Sequence, residues 1–181
     1  MKIRSITCFY DPGISRAAHT LQRLAQLAQA AAEAFRQAGY EVQTLRLATT
    51  PFPRMVPTCC DESAINLVQN LESEAASLGF TYISFGPALP ELPNSYRLIP
   101  EMITATRNAF FGGLLTTPQG VSLPAVQACG EIIARAAAIT PDGFANLRFA
   151  ALANVPAGAP FFPAAYHQPG QPPAFALAIE A

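Results

Sequence analysis

Runs of strand-forming residues alternate along this chain with segments whose apolar positions recur at three and four, and that alternation admits few folds. Lys2 to Tyr10 (KIRSITCFY) reads as a strand, closed by Asp11-Pro12-Gly13, which favours a turn and ends pairing. From Ser15 to Ala38, positions such as Leu21, Leu24, Ala28, Ala31 and Phe35 gather on one helical face, and Gly39 supplies the terminator. Glu41 to Leu47 forms a second strand before a loop holding Pro51, Pro53 and Pro57. A helix opened by Asp61 and ended by Gly79 leads to a third strand, Phe80 to Phe85. Pro100 fits the first turn of a short helix through Asn108, and Ala109 to Leu115 reads as a fourth strand. Within it, Gly112 and Gly113 imply a bulge or a close backbone approach. Ser122 caps a helix running to the turn at Thr140-Pro141-Asp142-Gly143, and Leu147 to Ala153 and Ala174 to Ile179 are the last two strands.

Strands separated by helices of this length pair in parallel, because each crossover must return to the same sheet edge. The fold class expected is therefore α/β, a mostly parallel sheet of about six strands within one domain spanning residues 1–181. In such folds ligands collect at the carboxyl ends of the strands, here the loops opening at Asp11, Thr49, Gly86, Thr116 and Asn154.

Composition narrows the function classes. Eleven basic residues against twelve acidic ones give a net charge of -1, and no Lys/Arg cluster is present to track a phosphate backbone, which argues against nucleic-acid binding. No leader pattern and no apolar run of membrane-spanning length occurs, so a cytoplasmic protein without membrane association is expected. Cys8, Cys59, Cys60 and Cys129 show neither CxxC spacing nor a histidine at ligand distance, so no metal site is expected and reduced thiols are. Cys8 and Cys129 lie on apolar faces and should be buried and unpaired. Only 13% of residues are charged while 51% are hydrophobic, which implies that part of the surface is covered by a partner.

The residues with chemistry to offer cluster in the loops. His167 follows a segment built from Asn154, Pro156, Gly158 and Pro160, and an imidazole there can move protons near neutral pH or simply brace an irregular proline-rich stretch. Cys59 and Cys60 precede a helix N-terminus, where the helix dipole can favour a nucleophilic thiolate. Asp11, Arg54, Thr116, Thr117 and Asn154 share the strand-end side of the sheet, and a carboxylate, a guanidinium and hydroxyls there suit a small polar or anionic ligand. For Asp11 the competing reading is turn chemistry alone. Gly112 to Gly120 lacks the lysine and spacing of a phosphate loop, and no sequence feature names a cofactor.

The opening KIRSIT, the helix start IPEMITAT, the segment GVSLPAVQACGEII and the stretch LANVPAGAPFFPAAYH, with Asn154, Pro160, Phe161 and His167, together resemble the domain-of-unknown-function 711 family. The resemblance implies a fold similar to half of a pyruvate formate-lyase-like barrel, within members that run well beyond the length of this chain, and it brings no established activity. Adjacent cysteines carry the radical relay of pyruvate formate-lyase-like enzymes, a relay that needs a glycyl radical domain absent from this sequence. The chain also departs from the family pattern at Gln171-Pro172-Pro173, where an acidic residue would follow the glycine after the histidine.

Two functional classes fit these observations. One is an enzyme-related barrel with a small-molecule cleft at the strand C-terminal ends; the other is a non-catalytic binding or assembly module. The final strand, AFALAI, is uncharged, and as a bare edge it would template pairing with another chain. It is therefore expected to be paired within the sheet, or covered by a missing C-terminal half or a second copy in a homo-oligomer.

Overall fold

The computed structural model describes residues 2–13, 18–55 and 61–180. Cys59, Cys60 and Pro57 lie outside the described residues. The strands are β1 (Lys2–Tyr10), β2 (Glu41–Thr49), β3 (Tyr82–Ala88), β4 (Ala109–Leu114), β5 (Thr116–Thr117), β6 (Gly120–Val121), β7 (Phe149–Leu152) and β8 (Ala174–Glu180). The α-helices are α1 (Ala18–Gln37), α2 (Asp61–Ser77), α3 (Asn94–Arg97), α4 (Ile99–Ala105) and α5 (Leu123–Ala137). The main sheet has six strands in the order β7-β4-β3-β2-β1-β8. Every neighbouring pair from β1 to β7 is parallel, and β8 runs antiparallel to β1. The expected α/β fold with a mostly parallel sheet is the one observed.

That strand order has a consequence for the two faces. Successive parallel strands step steadily in one direction, so right-handed crossovers place all the helices on the same side. The main core lies there: Cys8, Leu47, Ile83, Phe85 and Phe111 from the strands meet Leu21, Val68, Met102, Ile103 and Cys129 from the helices. The other face receives no helix among the described residues. It carries Thr7, Arg46 and Tyr82 in one register row and Phe9, Ala48, Ser84 and Phe110 in the next. No strand pairs β7 to β8, so the described residues form an open sheet, consistent with half of a barrel.

Several local expectations sharpen against the structure. The helix expected from Pro100 to Asn108 stops at Ala105, where Thr106 turns to extended backbone, and α3 precedes it. Arg107 and Asn108 instead turn into β4 with both backbone amides held by the Glu72 carboxylate. The strand expected from Leu147 is shorter, because residues 144–148 form a 3-10 turn before β7. Ser122 caps α5 as expected, its Oγ accepting the Ala125 amide. Cys8 and Cys129 are buried and free, and burial pushes their thiols up to about 12 and about 11. No helix among the described residues is long and apolar enough to cross a membrane.

Candidate functional site

Because β1, β2, β3, β4 and β7 are parallel, their C-terminal ends lie along one side of the sheet and deliver Asp11, Thr49, Gly86, Thr116 and Asn154 to it. The path that follows has no periodicity to announce it. After β7 the chain runs as an irregular strap, residues 153–173, across the helix-free face to the opposite sheet edge, where it becomes β8. Irregular backbone carries unpaired carbonyls and amides that must be satisfied when buried, and the sheet's own polar residues do this. Thr7 Oγ1 donates to the Pro160 carbonyl at 3.0 Å, and Ser84 Oγ donates to the Ala165 carbonyl at 2.7 Å. Phe162 and Ala165 pack on Phe9 and Ala48 to close a small apolar layer beneath the strap.

His167 and Asp11 belong to this strap-anchoring system. The His167 amide donates to the Thr49 carbonyl at 2.9 Å, which places the imidazole beside the Phe9 ring with the residue only 5% exposed. Its Nε2 lies 3.1 Å from the Gln171 carbonyl oxygen. A carbonyl can only accept, so Nε2 carries the proton, and in the neutral ring Nδ1 keeps the lone pair. Asp11 is buried, and it holds the Gly13 amide on Oδ1 at 2.8 Å and the Gly170 amide on Oδ2 at 2.9 Å. The turn chemistry expected of Asp11 is thus present, and its second oxygen adds a tie across 159 residues of sequence.

The other candidates are more open. Arg54 sits in a 3-10 turn after β2 and pairs with Glu91 at 3.0 Å, with both side chains about half exposed. Thr116 and Thr117 form the two-residue strand β5, which pairs with β6 in a small hairpin separate from the main sheet. Thr117 Oγ1 closes that hairpin by donating to the Gly120 carbonyl. Asn154 is exposed and adopts a positive φ of 55° at the start of the strap, a conformation that asparagine tolerates better than most residues. The structure therefore brings Asp11 and His167 together through residues 167–170, and leaves Arg54, the threonine hairpin and Asn154 as separate groups on the same side.

Sequence reasoning missed Arg46. Alternation puts it on a strand face with Val42 and Thr44, yet it stands on the helix-free face as a partly buried guanidinium, over the rings of Tyr82 and Phe162. Burial lowers its pKa from the ordinary arginine value. The available signal was a lone charge in the middle of a strand, in a chain with few charges.

An open, mostly parallel α/β sheet with helices on one face and an irregular proline-rich strap on the other is the class of protein that this architecture defines. The whole chain, residues 1–181, matches the family model described as Uncharacterised ACR (DUF711), and the chain belongs to that family. Among curated proteins it is similar to the UPF0210 protein of Pyrobaculum islandicum, with 31% identity over 144 residues that cover 75% of this chain and 31% of the relative. It is also similar to UPF0210 protein NMC1568 of Neisseria meningitidis, at 27% over 140 residues, covering 74% of this chain and 31% of that one. The chain thus spans about a third of the length of the curated relatives it matches. The family is uncharacterised, and the names of these relatives carry no function.

Proposed function

We propose that this chain forms one side of a small-molecule site at the C-terminal ends of its parallel strands, within an enzyme-related barrel similar to that of pyruvate formate-lyase-like proteins. The observation that carries this reading is the common direction of β1, β2, β3, β4 and β7, which collects every βα loop on one side. In this reading Arg54, Thr116, Thr117 and Asn154 contact a small polar or anionic ligand. The exposed Arg54–Glu91 pair contributes little on its own, so the guanidinium can exchange its carboxylate for a ligand. His167 offers Nδ1 as the proton-transferring group, Asp11 fixes the strap that carries it, and Cys59 and Cys60, outside the described residues, are the thiols that the sequence offers to this reading. The buried free thiols of Cys8 and Cys129 suit a reducing, cytoplasmic setting. Titration with inorganic phosphate and oxalate, followed by amide NMR, tests the reading. Saturable shifts at Arg54, Thr116, Thr117 and Asn154, lost in Arg54→Gln, are expected; the absence of saturable shifts at this end of the sheet overturns it.

A second reading, assembly, is favoured by β8. Among the described residues this strand pairs β1 on one side only, and Phe175 and Ile179 on it are 49% and 55% exposed. An apolar edge strand of this kind invites pairing, and in this reading it is covered by a second copy of the chain. Sedimentation at micromolar concentration is expected to give a dimer, whereas a stable monomer would remove the case for a homo-oligomer.

A further inference from the structure

The opposite end of the sheet holds a cavity of about 560 Å³, lined by Arg46, Tyr82, Phe110, Phe144, Arg148 and Phe162 among others. That volume falls within the usual range for small-molecule sites. Its chemistry is unusual for this chain: Arg46, Arg107 and Arg148 all line it, and no aspartate or glutamate does among the described residues.

The three cations are not equivalent. Arg148 is committed to protein, donating through Nη1 to the Thr106 carbonyl and hydroxyl and through Nη2 to the Ile103 carbonyl. It is a fixed positive wall. Burial lowers its pKa from the ordinary arginine value, and Glu72 offsets part of that through space, but the Glu72 Oε1 is taken by the amides of Arg107 and Asn108. Arg46 is held differently. Its Nε donates to Thr44 Oγ1 at 2.9 Å, and its guanidinium carbon lies 5.2 Å from the Phe162 ring centroid and 5.7 Å from that of Tyr82. Phe110 braces both rings at centroid distances of 5.3 and 5.4 Å. Rings and Nε together orient the head group and leave the edge bearing Nη1 and Nη2 without a protein acceptor among the described residues. An arginine fixed in this way is preorganised for two parallel hydrogen bonds to a planar anion. The cavity's remaining walls combine the polar Asn108 and Thr140 with the apolar Phe144, Ala145 and Leu147, and they are partly wet: Phe144 and Leu147 are 66% and 58% exposed.

From this arrangement we infer that the cavity at the N-terminal ends of the strands binds a small carboxylate with a planar apolar body. The carboxylate sits on the free edge of Arg46, the body lies against Phe110, Phe144 and Leu147, and Arg107 and Arg148 supply the surrounding positive field. This site is separate from the one proposed at the strand C-terminal ends, and neither depends on the other.

The test uses the 181-residue chain and 2-naphthoate, with 2-naphthamide as its neutral isostere and acetate as an anion without the apolar body. Saturable 2-naphthoate binding by amide NMR is expected, with shifts centred on Arg46, Tyr82 and Phe110. 2-Naphthamide and acetate should each bind at least tenfold more weakly. Arg46→Gln should lose at least tenfold in affinity while keeping the wild-type circular dichroism, and the surface change Arg23→Gln should leave binding unaltered. Equal binding of naphthoate and naphthamide to the unmodified chain overturns the inference whether or not Arg46→Gln folds. So does an absence of saturable naphthoate binding, or shifts confined to the opposite end of the sheet.

Discussion

Replacing Gly86 by alanine is expected to destabilise the chain by about 2–5 kcal/mol, combining roughly 1–2 kcal/mol for a side chain in the left-handed region with about 1–3 kcal/mol for overpacking. Gly86 lies within β3 at φ +68°, and a β-carbon there would stand 3.0 Å from the Pro51 Cα and 3.1 Å from the Tyr166 Cβ. Neither neighbour is the free end of a flexible side chain. Pro51 belongs to the turn that follows β2, and Tyr166 is fixed by its hydroxyl donating to the Val155 carbonyl and by the Gly158 amide donating to its own carbonyl. The strap must therefore lift from the sheet, taking with it the His167 amide bond to Thr49 one residue later. Gly158 supplies the control. It has φ +88°, and a β-carbon on it would meet nothing within 4 Å, so Gly158→Ala should cost only the conformational part, about 1–2 kcal/mol. Urea denaturation of the two variants decides the matter: equal losses would mean that the close approach of strap to sheet carries no energy.

The alternation of strands and helices was legible because its cause is local. Leu21, Leu24 and Ala28 on α1, or Ile132 and Ala136 on α5, repeat at helical spacing because each faces the same sheet, and they are buried as that spacing requires. Direction was legible for the same reason wherever a helix intervened. For β8 it was not, although one signal was present: residues 153–173 hold no helical pattern, and without a crossover helix the chain re-enters the sheet from the end at which it left. That entry makes β8 antiparallel to β1.

The strap itself was hidden because its ties are long-range. Nothing near Thr7 in sequence announces Pro160 as its partner, and nothing near Asp11 announces Gly170. Asp11 and His167 stood out as rare polar residues at strand ends, and they do come together, through the backbone of the segment that separates β7 from β8. Arg46 was obscured for the opposite reason. Strand alternation assigned it a face but not what covers that face, and the covering ring, Phe162, lies 116 positions further along the chain, a separation that period counting does not reach.

The paired glycines of β4 give the second large effect, and here the sequence did point to the cause. Gly113 pairs with Ala88 of β3 on one side and Ala151 of β7 on the other, so its backbone is held from both directions. A β-carbon on it would meet the Cys129 Sγ at 2.6 Å, the Tyr96 Cε1 at 3.2 Å and the Phe149 Cζ at 3.3 Å. All three neighbours belong to buried residues of the main core, so the strain cannot drain to solvent. Gly113→Ala is expected to cost about 2–3 kcal/mol, near the upper end for overpacking a well-filled core. The sulfur is the worst contact, and removing it should relieve most of the strain. Cys129→Ala alone leaves a small void and should cost about 1 kcal/mol, in line with the loss of one buried heavy atom. In the double variant the new methyl group occupies part of the space that the sulfur vacates. The double variant should therefore lie within about 1 kcal/mol of Cys129→Ala, giving a favourable coupling between contacting residues of at least ~1 kcal/mol. Chemical denaturation of the four proteins measures this cycle. Strict additivity would show that helix α5 does not press on β4 at Gly113, and that the glycine serves the strand in some other way.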